Sequence, residues 1–254
     1  MHVMHYQDFD RSKNREKFVS HRDVLAYLEE YAKDSDAYRF IRFQHLVKDV
    51  KRESNCWRVE IKNLRTGDSF VRFYDVIMVC NGRYSKPNIP ASCDTRKFTG
   101  KILHSHNYRR PDEYKDENVL LLGAGPSGLD ISLELVDYAK KIYLLHKLEK
   151  NFKDLPDKIE QVYDVVKSAE GNTVYSLGGR KFENIDTLIF ATGYEYDYGF
   201  LNENVGIKLQ ENGKLSNTYL HLINSLYPTM CLLAIPQRIL PFPFYDTQVR
   251  FRSN

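Results

Sequence analysis

"VLLLGAGPSGLDIS", residues 119–132, is the stretch that decides the fold. The segment "NVLLL" at 118–122, apolar from residue 119 onwards, predicts a buried parallel strand, and the apolar-periodic segment after the glycines predicts a helix. Gly123, Gly125 and Gly128 match G-x-G-x-x-G, in which the glycines permit a tight turn, a close pyrophosphate and close helix packing. The strand–turn–helix context makes this match specific. The predicted phosphate cradle is Gly123, Gly125, Pro126, Ser127 and Gly128.

The end of the next strand distinguishes the two nicotinamide cofactors. A free ribose 2′-hydroxyl usually meets an Asp or Glu about 20 residues after the glycine-rich turn. Here the strand "IYLLHK" ends in His146 and Lys147, and the nearest carboxylate, Glu149, lies beyond it. A cation beside a 2′-phosphate contributes about 1.5–3 kcal/mol, a preference of about 10- to 150-fold. We therefore predict NADP, although Lys147 alone also fits a solvated surface lysine.

An internal repeat predicts a second domain of the same kind. In both halves a hairpin with a glycine turn leads into an apolar strand between an aspartate and a glycine, Asp75 to Gly82 and Asp186 to Gly193. Such a strand commonly closes a dinucleotide-binding domain, with the nucleotide at its carboxyl end. A glycine-rich opening precedes only the second of these strands. The predicted nucleotide contacts at the strand ends are Asn81, Gly82, Thr192 and Gly193.

Periodicity predicts several other elements. Residues 20–34 predict a helix with a capping box formed by Ser20 and Asp23. Residues 157–171 predict a helix that turns into a strand near Val165. The predicted strands, rich in β-formers, are residues 39–50, 57–63 and 69–82.

Composition excludes several classes of protein. The chain has 254 residues, 42% of them hydrophobic and 28% charged, which is typical of a globular protein. Its net charge of +3 is too small to indicate a nucleic-acid partner. The first residues carry no hydrophobic signal core, so we expect a cytoplasmic protein. The cysteines have no zinc-site or C-x-x-C spacing, so we predict no metal and expect core thiols at Cys56, Cys80, Cys93 and Cys231.

The segment "FTGKILHSHNY", residues 98–108, carries a family fingerprint. It matches F-x-G-x-x-x-H-S-x-x-Y at Phe98, Gly100, His104, Ser105 and Tyr108. The other matching segments, in the family's order, are "CNGRYSKPNIP" at 80–90, "GAGPSG" at 123–128, "ATGY" at 191–194 and "PFPFYDTQVRF" at 241–251. The chain thus resembles the flavin-containing monooxygenases, and the shorter fungal and insect type in particular.

The resemblance implies an α/β protein with two nested Rossmann-like dinucleotide-binding domains. Residues 1–110 would form a partial FAD domain with the linker motif, residues 111–193 the NADPH-binding domain, and residues 194–254 a return into the FAD domain. NADPH would reduce FAD, and the reduced flavin would capture O2 as a C4a-hydroperoxide that oxygenates a soft nitrogen or sulfur atom of an amine or sulfide. The protein itself would position the cofactors and exclude water. Relatives can also associate peripherally with the endoplasmic reticulum.

The resemblance places His104, Ser105 and Tyr108 in the linker, near the cofactors. Two interpretations of His104 remain open, a cofactor contact or a ring that satisfies a buried backbone carbonyl. Tyr108 is more typical of a packing group than of a cofactor contact. Gly100 is expected to serve a special backbone angle.

The chain departs from the family near its start. The family's first glycine-rich turn, which holds the ADP half of FAD, and its active-site asparagine precede "VMHYQDF", which here occupies residues 3–9. We therefore assign no catalytic residue. We expect an incomplete FAD domain with unpaired strand edges and exposed apolar surface, and weak FAD affinity. The alternative function is that of a non-catalytic NADP-binding fragment or isoform.

Two related enzyme classes fit less well. A pyridine-nucleotide disulfide reductase needs a redox cysteine pair, but Cys80 and Cys93 lie thirteen positions apart. A Baeyer–Villiger monooxygenase carries Trp-Pro near the position of Tyr108, which here is followed by Arg109. The resemblance therefore favours oxygenation of nitrogen or sulfur.

Overall fold

The chain divides into two compact units in the computed structural model, which describes residues 5–6, 8–9, 19–148, 152–210, 214–236 and 239–253. Unit 2 is the continuous stretch Tyr84–Glu195. Unit 1 combines the flanking stretches, Met1–Arg83 and Tyr196–Asn254. The chain therefore crosses between the units at residues 83–84 and 195–196.

The helices and strands of the described residues are as follows. The α-helices are α1 (His21–Asp34), α2 (Pro126–Glu134) and α3 (Pro241–Ser253). The strands are β1 (His45–Glu53), β2 (Cys56–Asn63), β3 (Ser69–Tyr74), β4 (Ile77–Val79), β5 (Lys86–Pro87), β6 (Asp94–Phe98), β7 (Lys101–His104), β8 (Asn118–Leu122), β9 (Lys141–His146), β10 (Ile159–Tyr163), β11 (Val166–Gly171), β12 (Thr173–Ser176), β13 (Lys181–Phe182), β14 (Thr187–Phe190), β15 (Tyr194–Glu195), β16 (Thr218–Tyr219), β17 (Ile223–Asn224) and β18 (Met230–Leu232). Short 3-10 helices span Ala37–Phe40, Ser105–Asn107, Pro111–Tyr114, Leu135–Asp137 and Glu203–Val205.

Unit 2 is built on a five-stranded parallel sheet in the order β10-β9-β8-β14-β7. Its central strand β8 is buried on both faces, because Val119 and Leu121 pack in one core and Leu120 and Leu122 in the other. The first core includes residues of α2, among them Ile131. The continuous apolar run in the sequence follows from this two-sided burial.

A second sheet covers the other face of the parallel sheet. Its order is β13-β12-β11-β6, with β11 and β6 parallel and the remaining pairs antiparallel. Val174 and Phe182 of this sheet pack against Leu120, Leu188 and Phe190 of the parallel sheet. Unit 2 therefore has three layers, helix, parallel sheet and mixed sheet, which confirms the predicted α/β class.

Unit 1 contains an antiparallel three-stranded sheet, β1-β2-β3, and a four-stranded sheet in the order β16-β17-β18-β4. Strands β18 and β4 are parallel. Trp57 of β2 is fully buried and donates its indole N–H to the Thr229 hydroxyl at 3.0 Å. Val59, Val79 and Met230 share this core.

Helix α1 begins where the sequence predicts. The Ser20 hydroxyl accepts a hydrogen bond from the Asp23 backbone N–H at 3.3 Å, and the Asp23 carboxylate accepts one from the Ser20 N–H at 3.1 Å. The predicted capping box is therefore confirmed. Among the described residues, no helix is both long and apolar enough to cross a membrane.

Three sequence predictions are wrong in part. Residues 39–44 are not strand, because a 3-10 helix ends at Phe40 and Gln44 has a positive φ of 58°. Residues 159–163 form strand β10 instead of helix, since they pair in parallel with β9. Cys80 is exposed and so is not a core thiol, whereas Cys93 and Cys231 are buried.

The internal repeat is present in the backbone. The two hairpin turns contain Gly67 with φ 84° and Gly179 with φ 88°. Strands β4 and β14 follow these hairpins, and each leads to a glycine with positive φ, 71° at Gly82 and 78° at Gly193. These left-handed conformations are open to glycine at little cost, so the repeated glycines serve the same local geometry in both units.

Candidate nucleotide-binding site

The glycine-rich turn brings β8, β14 and α2 into close contact. Gly123 has a φ of 109°, and a Cβ there would overlap the Ala191 carbonyl oxygen. A Cβ on Gly128 would overlap the Gly123 carbonyl oxygen. Both glycines are therefore required by the backbone packing itself, as the motif predicts.

Gly125 differs, because it faces open space. It is the N-cap of α2, and a Cβ there would have no heavy atom within 4 Å. No side chain caps this helix within the described range 19–148. The first-turn N–H groups and the positive end of the helix dipole are thus available to an anion. Pro126 and Ser127 are exposed beside this end of the helix.

The end of β14 lies next to the cradle. The Ala191 N–H donates to the Leu122 carbonyl at 2.8 Å, and the chain then turns through Thr192 and Gly193. Asn88 fixes this turn, because its backbone N–H donates to the Gly193 carbonyl at 2.9 Å and its side-chain amide donates to the Thr192 carbonyl at 3.4 Å. The Thr192 hydroxyl donates to the Asn88 carbonyl in return.

His104 ends β7 as a buried ring. It is 4% exposed, and its Nδ1 accepts a hydrogen bond from the His106 backbone N–H at 3.1 Å. Burial lowers the pKa of His104, and the Gly193 backbone facing the ring offsets only part of this effect. Within the described residues, the buried Nε2 makes no well-formed hydrogen bond. Burial thus disfavours the charged form of the ring, and both interpretations of His104 stay open. Ser105 beside it is half-buried.

Tyr194 is a site residue that the sequence reasoning missed. Its ring meets His104 edge to face at a centroid distance of 5.1 Å and Tyr84 at 5.2 Å. Its hydroxyl lies 3.4 Å from Nδ1 of His106. The motif "ATGY" contains this tyrosine, and its aromatic neighbours become apparent only once β5 and β15 pair.

Tyr108 lies away from the cradle. Its hydroxyl donates to the Glu134 carboxylate at 3.0 Å, and its ring stacks on Tyr114 at 5.6 Å. Burial and this carboxylate raise the pKa of Tyr108. Glu134 is the last residue of α2, whereas the cradle lies at the first. The structure therefore gives Tyr108 the packing position that its residue type suggests.

Of His146, the last residue of β9, and Lys147, which follows it, only Lys147 is accessible. His146 is 2% exposed, its Nδ1 accepts from the Leu148 N–H at 3.3 Å, and its ring meets Phe152 edge to face. Lys147 is exposed. Glu149, the nearest carboxylate in sequence, lies outside the described residues.

The structure brings most of the predicted residues to one edge of unit 2. Strands β7, β8, β9 and β14 are parallel, so their carboxyl ends, which precede Ser105, Gly123, Lys147 and Thr192, lie along the same edge of the sheet. Asn81 and Gly82 occupy the equivalent end of β4 in unit 1, where the Asn81 amide donates to the Asp197 carbonyl at 3.1 Å. Tyr108 lies at the opposite end of α2 from the cradle, and the His146 ring is buried.

The chain is similar to known proteins over nearly its full length. It is 32% identical to Flavin-containing monooxygenase FMO GS-OX5 of Arabidopsis thaliana, over 98% of this chain and 56% of that protein. Its fold is similar to S-allyl-L-cysteine S-oxygenase from Allium sativum, with a TM-score of 0.86 and 26% identity over 99% of this chain and 59% of the other. The chain thus spans about half the length of the curated relatives it matches.

A more distant likeness concerns the fold alone. Cyclohexanone monooxygenase from Rhodococcus sp. Phi1, solved bound to NADP+, has a TM-score of 0.69 and 14% identity over 92% of this chain and 69% of the other. The sequence pattern of the flavin-binding monooxygenase-like family, whose members depend on FAD and NADP, matches residues 1–150 and 153–251. With this match and its glycine-rich cradle, the chain belongs to the flavin-binding monooxygenase-like family.

Proposed function

We propose that the chain is part of an NADPH- and FAD-dependent monooxygenase that oxygenates a soft nitrogen or sulfur nucleophile. The observation that carries this proposal is the cradle of unit 2, with its uncapped helix end and the open space at Gly125. When bound, FAD supplies electron transfer from NADPH and activation of O2. The residues of this chain bind and orient the cofactors and exclude water.

The cradle is the site for the NADP pyrophosphate in this proposal. The backbone N–H groups of Gly125, Ser127 and Gly128 lie at the helix end, whereas Pro126 has no N–H to donate. The missing N–H costs nothing there, since Pro is favourable in the first turn of a helix. Lys147 would bind the 2′-phosphate, and the buried His146 would support the end of β9.

The strand ends beside the cradle would position the nicotinamide. Thr192 and Gly193 are fixed by Asn88, so the backbone there is preorganised for a ligand. Burial lowers the pKa of His104, which lies beside the Gly193 backbone, and so disfavours a cation beside the positively charged ring of NADP+. Asn81 and Gly82 would take the matching place for FAD in unit 1.

Sulfur is the favoured element in the substrate. The support is the similarity to a protein named S-allyl-L-cysteine S-oxygenase, at 26% identity over 99% of this chain. A sulfide is a soft nucleophile that needs no general base to attack an activated oxygen, so the proposed reaction needs no catalytic acid or base from this chain. An amine is the second substrate class.

The test is the visible absorbance spectrum of the purified chain, before and after addition of FAD and then NADPH. A protein-bound flavin spectrum that bleaches with NADPH, with a sulfoxide formed from an added sulfide in air, supports the monooxygenase. A colourless protein that binds NADPH but not FAD would assign the chain to the alternative, a non-catalytic NADP-binding fragment or isoform. Loss of NADPH binding as well would overturn both.

A further inference from the structure

Strands β9 and β10 of unit 2 end together at the carboxyl edge of the parallel sheet. Tyr163, the last residue of β10, is paired in register with His146, the last residue of β9. The Asp164 N–H then donates to the His146 carbonyl at 3.1 Å. Because neighbouring strands lie about 4.8 Å apart, Tyr163 is on the strand beside Lys147, the residue that follows His146.

The side chain of Tyr163 is not part of a core. It is 62% exposed, whereas Ile159, on the same face of β10, packs in the core that includes residues of α2. A tyrosine ring is a large, rigid and mostly apolar surface that loses little conformational freedom when a ligand binds to it. Tyr163 therefore presents an aromatic surface to solvent at the edge of the sheet on which the cradle lies.

Leu148 provides a second exposed apolar group near the end of β9. Its backbone N–H donates to Nδ1 of the buried His146 ring at 3.3 Å, which holds the chain after Lys147 against β9. The Leu148 side chain is 49% exposed. His146 thus fixes both segments, since its ring binds the Leu148 backbone and its carbonyl binds the residue after Tyr163.

A dinucleotide held at the cradle can extend along this edge of the sheet. The cradle follows β8, and β9 and β10 are the next two strands outward in the sheet. In NADP the 2′-phosphate and the adenine base are attached to adjacent carbon atoms of one ribose. A phosphate bound by Lys147 therefore brings the base close to the end of β10. Bases commonly stack on exposed aromatic side chains, because every base has a flat π-face.

We propose that Tyr163 stacks on the adenine base of NADP, with Leu148 as a second apolar contact. The inference rests on the proposed function, since it takes a dinucleotide at the cradle as given. Neither residue belongs to a segment that carries the family resemblance, so the resemblance assigns no role to them. Stacking does not involve the 2′-phosphate. Tyr163 therefore contributes equally to NADP and NAD binding, whereas Lys147 contributes to NADP binding alone.

The first experiment is calorimetric titration of the full chain with NADP+, NAD+ and 2′,5′-ADP, which contains only the adenosine half. Tyr163→Ala should raise the Kd of all three by the same factor, about 5- to 150-fold, the range for stacking on one base. Tyr163→Phe keeps the ring and should leave each Kd unchanged. The matched control is Tyr138→Ala, because Tyr138 is also exposed but precedes the amino end of β9.

A fluorescence measurement detects the stacking contact itself. Trp57, the one tryptophan of the sequence, is fully buried in unit 1, so Tyr163→Trp adds an exposed indole at the proposed contact. We expect 2′,5′-ADP to quench the fluorescence of this indole with the Kd found by calorimetry. Ribose 5-phosphate, which has no base, should not quench it. The control variant Tyr138→Trp should respond to neither compound.

Three outcomes would overturn the inference. Unchanged Kd values in Tyr163→Ala, with NADP+ binding intact in the unsubstituted chain, would refute the stacking and leave the proposed function standing. An equal loss of affinity in Tyr163→Phe would assign the effect to the hydroxyl group rather than to the ring. Failure of the unsubstituted chain to bind any of the three nucleotides would refute the proposed cradle, and the inference with it.

Discussion

Two glycines of one turn have different roles at the residue scale. Gly128→Ala forces a methyl group against the Gly123 carbonyl, so we expect a loss of stability of about 1–3 kcal/mol, as for other overpacked sites. Gly125→Ala meets no atom within 4 Å and should change stability by less than about 1 kcal/mol. It should nevertheless weaken NADP+ binding by at least about tenfold, because its methyl group occupies the space left for the pyrophosphate.

Urea unfolding and calorimetric titration with NADP+ separate these two effects. Gly199→Ala is a matched control in unit 1, where a new Cβ would approach only the Asp197 carboxylate, at 3.4 Å. Undiminished NADP+ binding by Gly125→Ala would show that the helix end is not the phosphate site.

Lys147 decides between NADP and NAD in the proposed site. Replacement by Ala removes a charge-assisted contact of about 1.5–3 kcal/mol to the 2′-phosphate. We expect the Kd for NADP+ to rise by about 10- to 150-fold while the Kd for NAD+ stays unchanged. Lys140→Ala is the control, because Lys140 is also exposed but precedes the amino end of β9. Equal effects of Lys147→Ala on both nucleotides would contradict the assignment.

His104 makes stability depend on pH. Burial lowers the pKa of the folded ring below its ordinary value of 6.5, so the unfolded chain binds this proton more tightly. The contribution of the neutral His104 ring to the free energy of unfolding is fully present above about pH 6.5. It is lost as the pH falls from there towards the folded pKa. His104→Gln should therefore give a flatter dependence of the urea midpoint on pH below about pH 6.5. A slope as steep as that of the unsubstituted chain would assign the dependence to other groups.

At the scale of elements, Tyr108 connects the fingerprint segment to α2. Tyr108→Phe keeps the stacking on Tyr114 and removes the hydrogen bond to Glu134. We expect a loss of about 0.5–1.5 kcal/mol in the free energy of unfolding, with NADP+ binding unchanged. Chemical denaturation and the same nucleotide titration test this. A lower affinity without a stability change would restore Tyr108 to the cofactor site.

The local sequence is sufficient to predict some of the helices and strands but not others. The cap of α1 and the β8–turn–α2 unit depend on neighbouring residues, and both were predicted. Residues 159–163 were predicted as helix, yet they pair with β9 along their whole length. Residues 39–44 alternate like a strand but include the left-handed Gln44. In these two segments tertiary pairing and turn geometry override the local pattern, as propensities generally allow.

The same distinction applies to the candidate site. Sequence motifs and the ends of predicted strands are sufficient to predict the glycines, Thr192 and Lys147, because both can be recognised in the linear sequence. Asn88 and Tyr194 were not predicted, because their contacts join segments 104 and 88 positions apart, Asn88 with Thr192 and Tyr194 with His106. Only the folded chain places such residues together.

At the scale of the whole molecule, each of the two units contains one copy of the internal repeat found in the sequence. In each unit a hairpin precedes a closing strand that leads to a left-handed glycine, Gly82 in unit 1 and Gly193 in unit 2. Unit 2 also contains β8 and α2, which complete a cradle. Unit 1 contains an apolar cavity lined by residues of β1, β2 and β4, whereas the parallel sheet of unit 2 is packed in a core on each face.

It follows that unit 2 should fold by itself. Residues 84–195 are continuous, carry both cores around the parallel sheet, and bring their ends together where Pro87 pairs with Tyr194. We expect a fragment of these residues to unfold cooperatively in urea and to bind NADP+ with the Kd of the full chain. The same fragment with Gly125→Ala should stay folded and bind at least about tenfold more weakly. A fragment without a cooperative transition, or one that folds without binding NADP+, would show that the cradle needs unit 1.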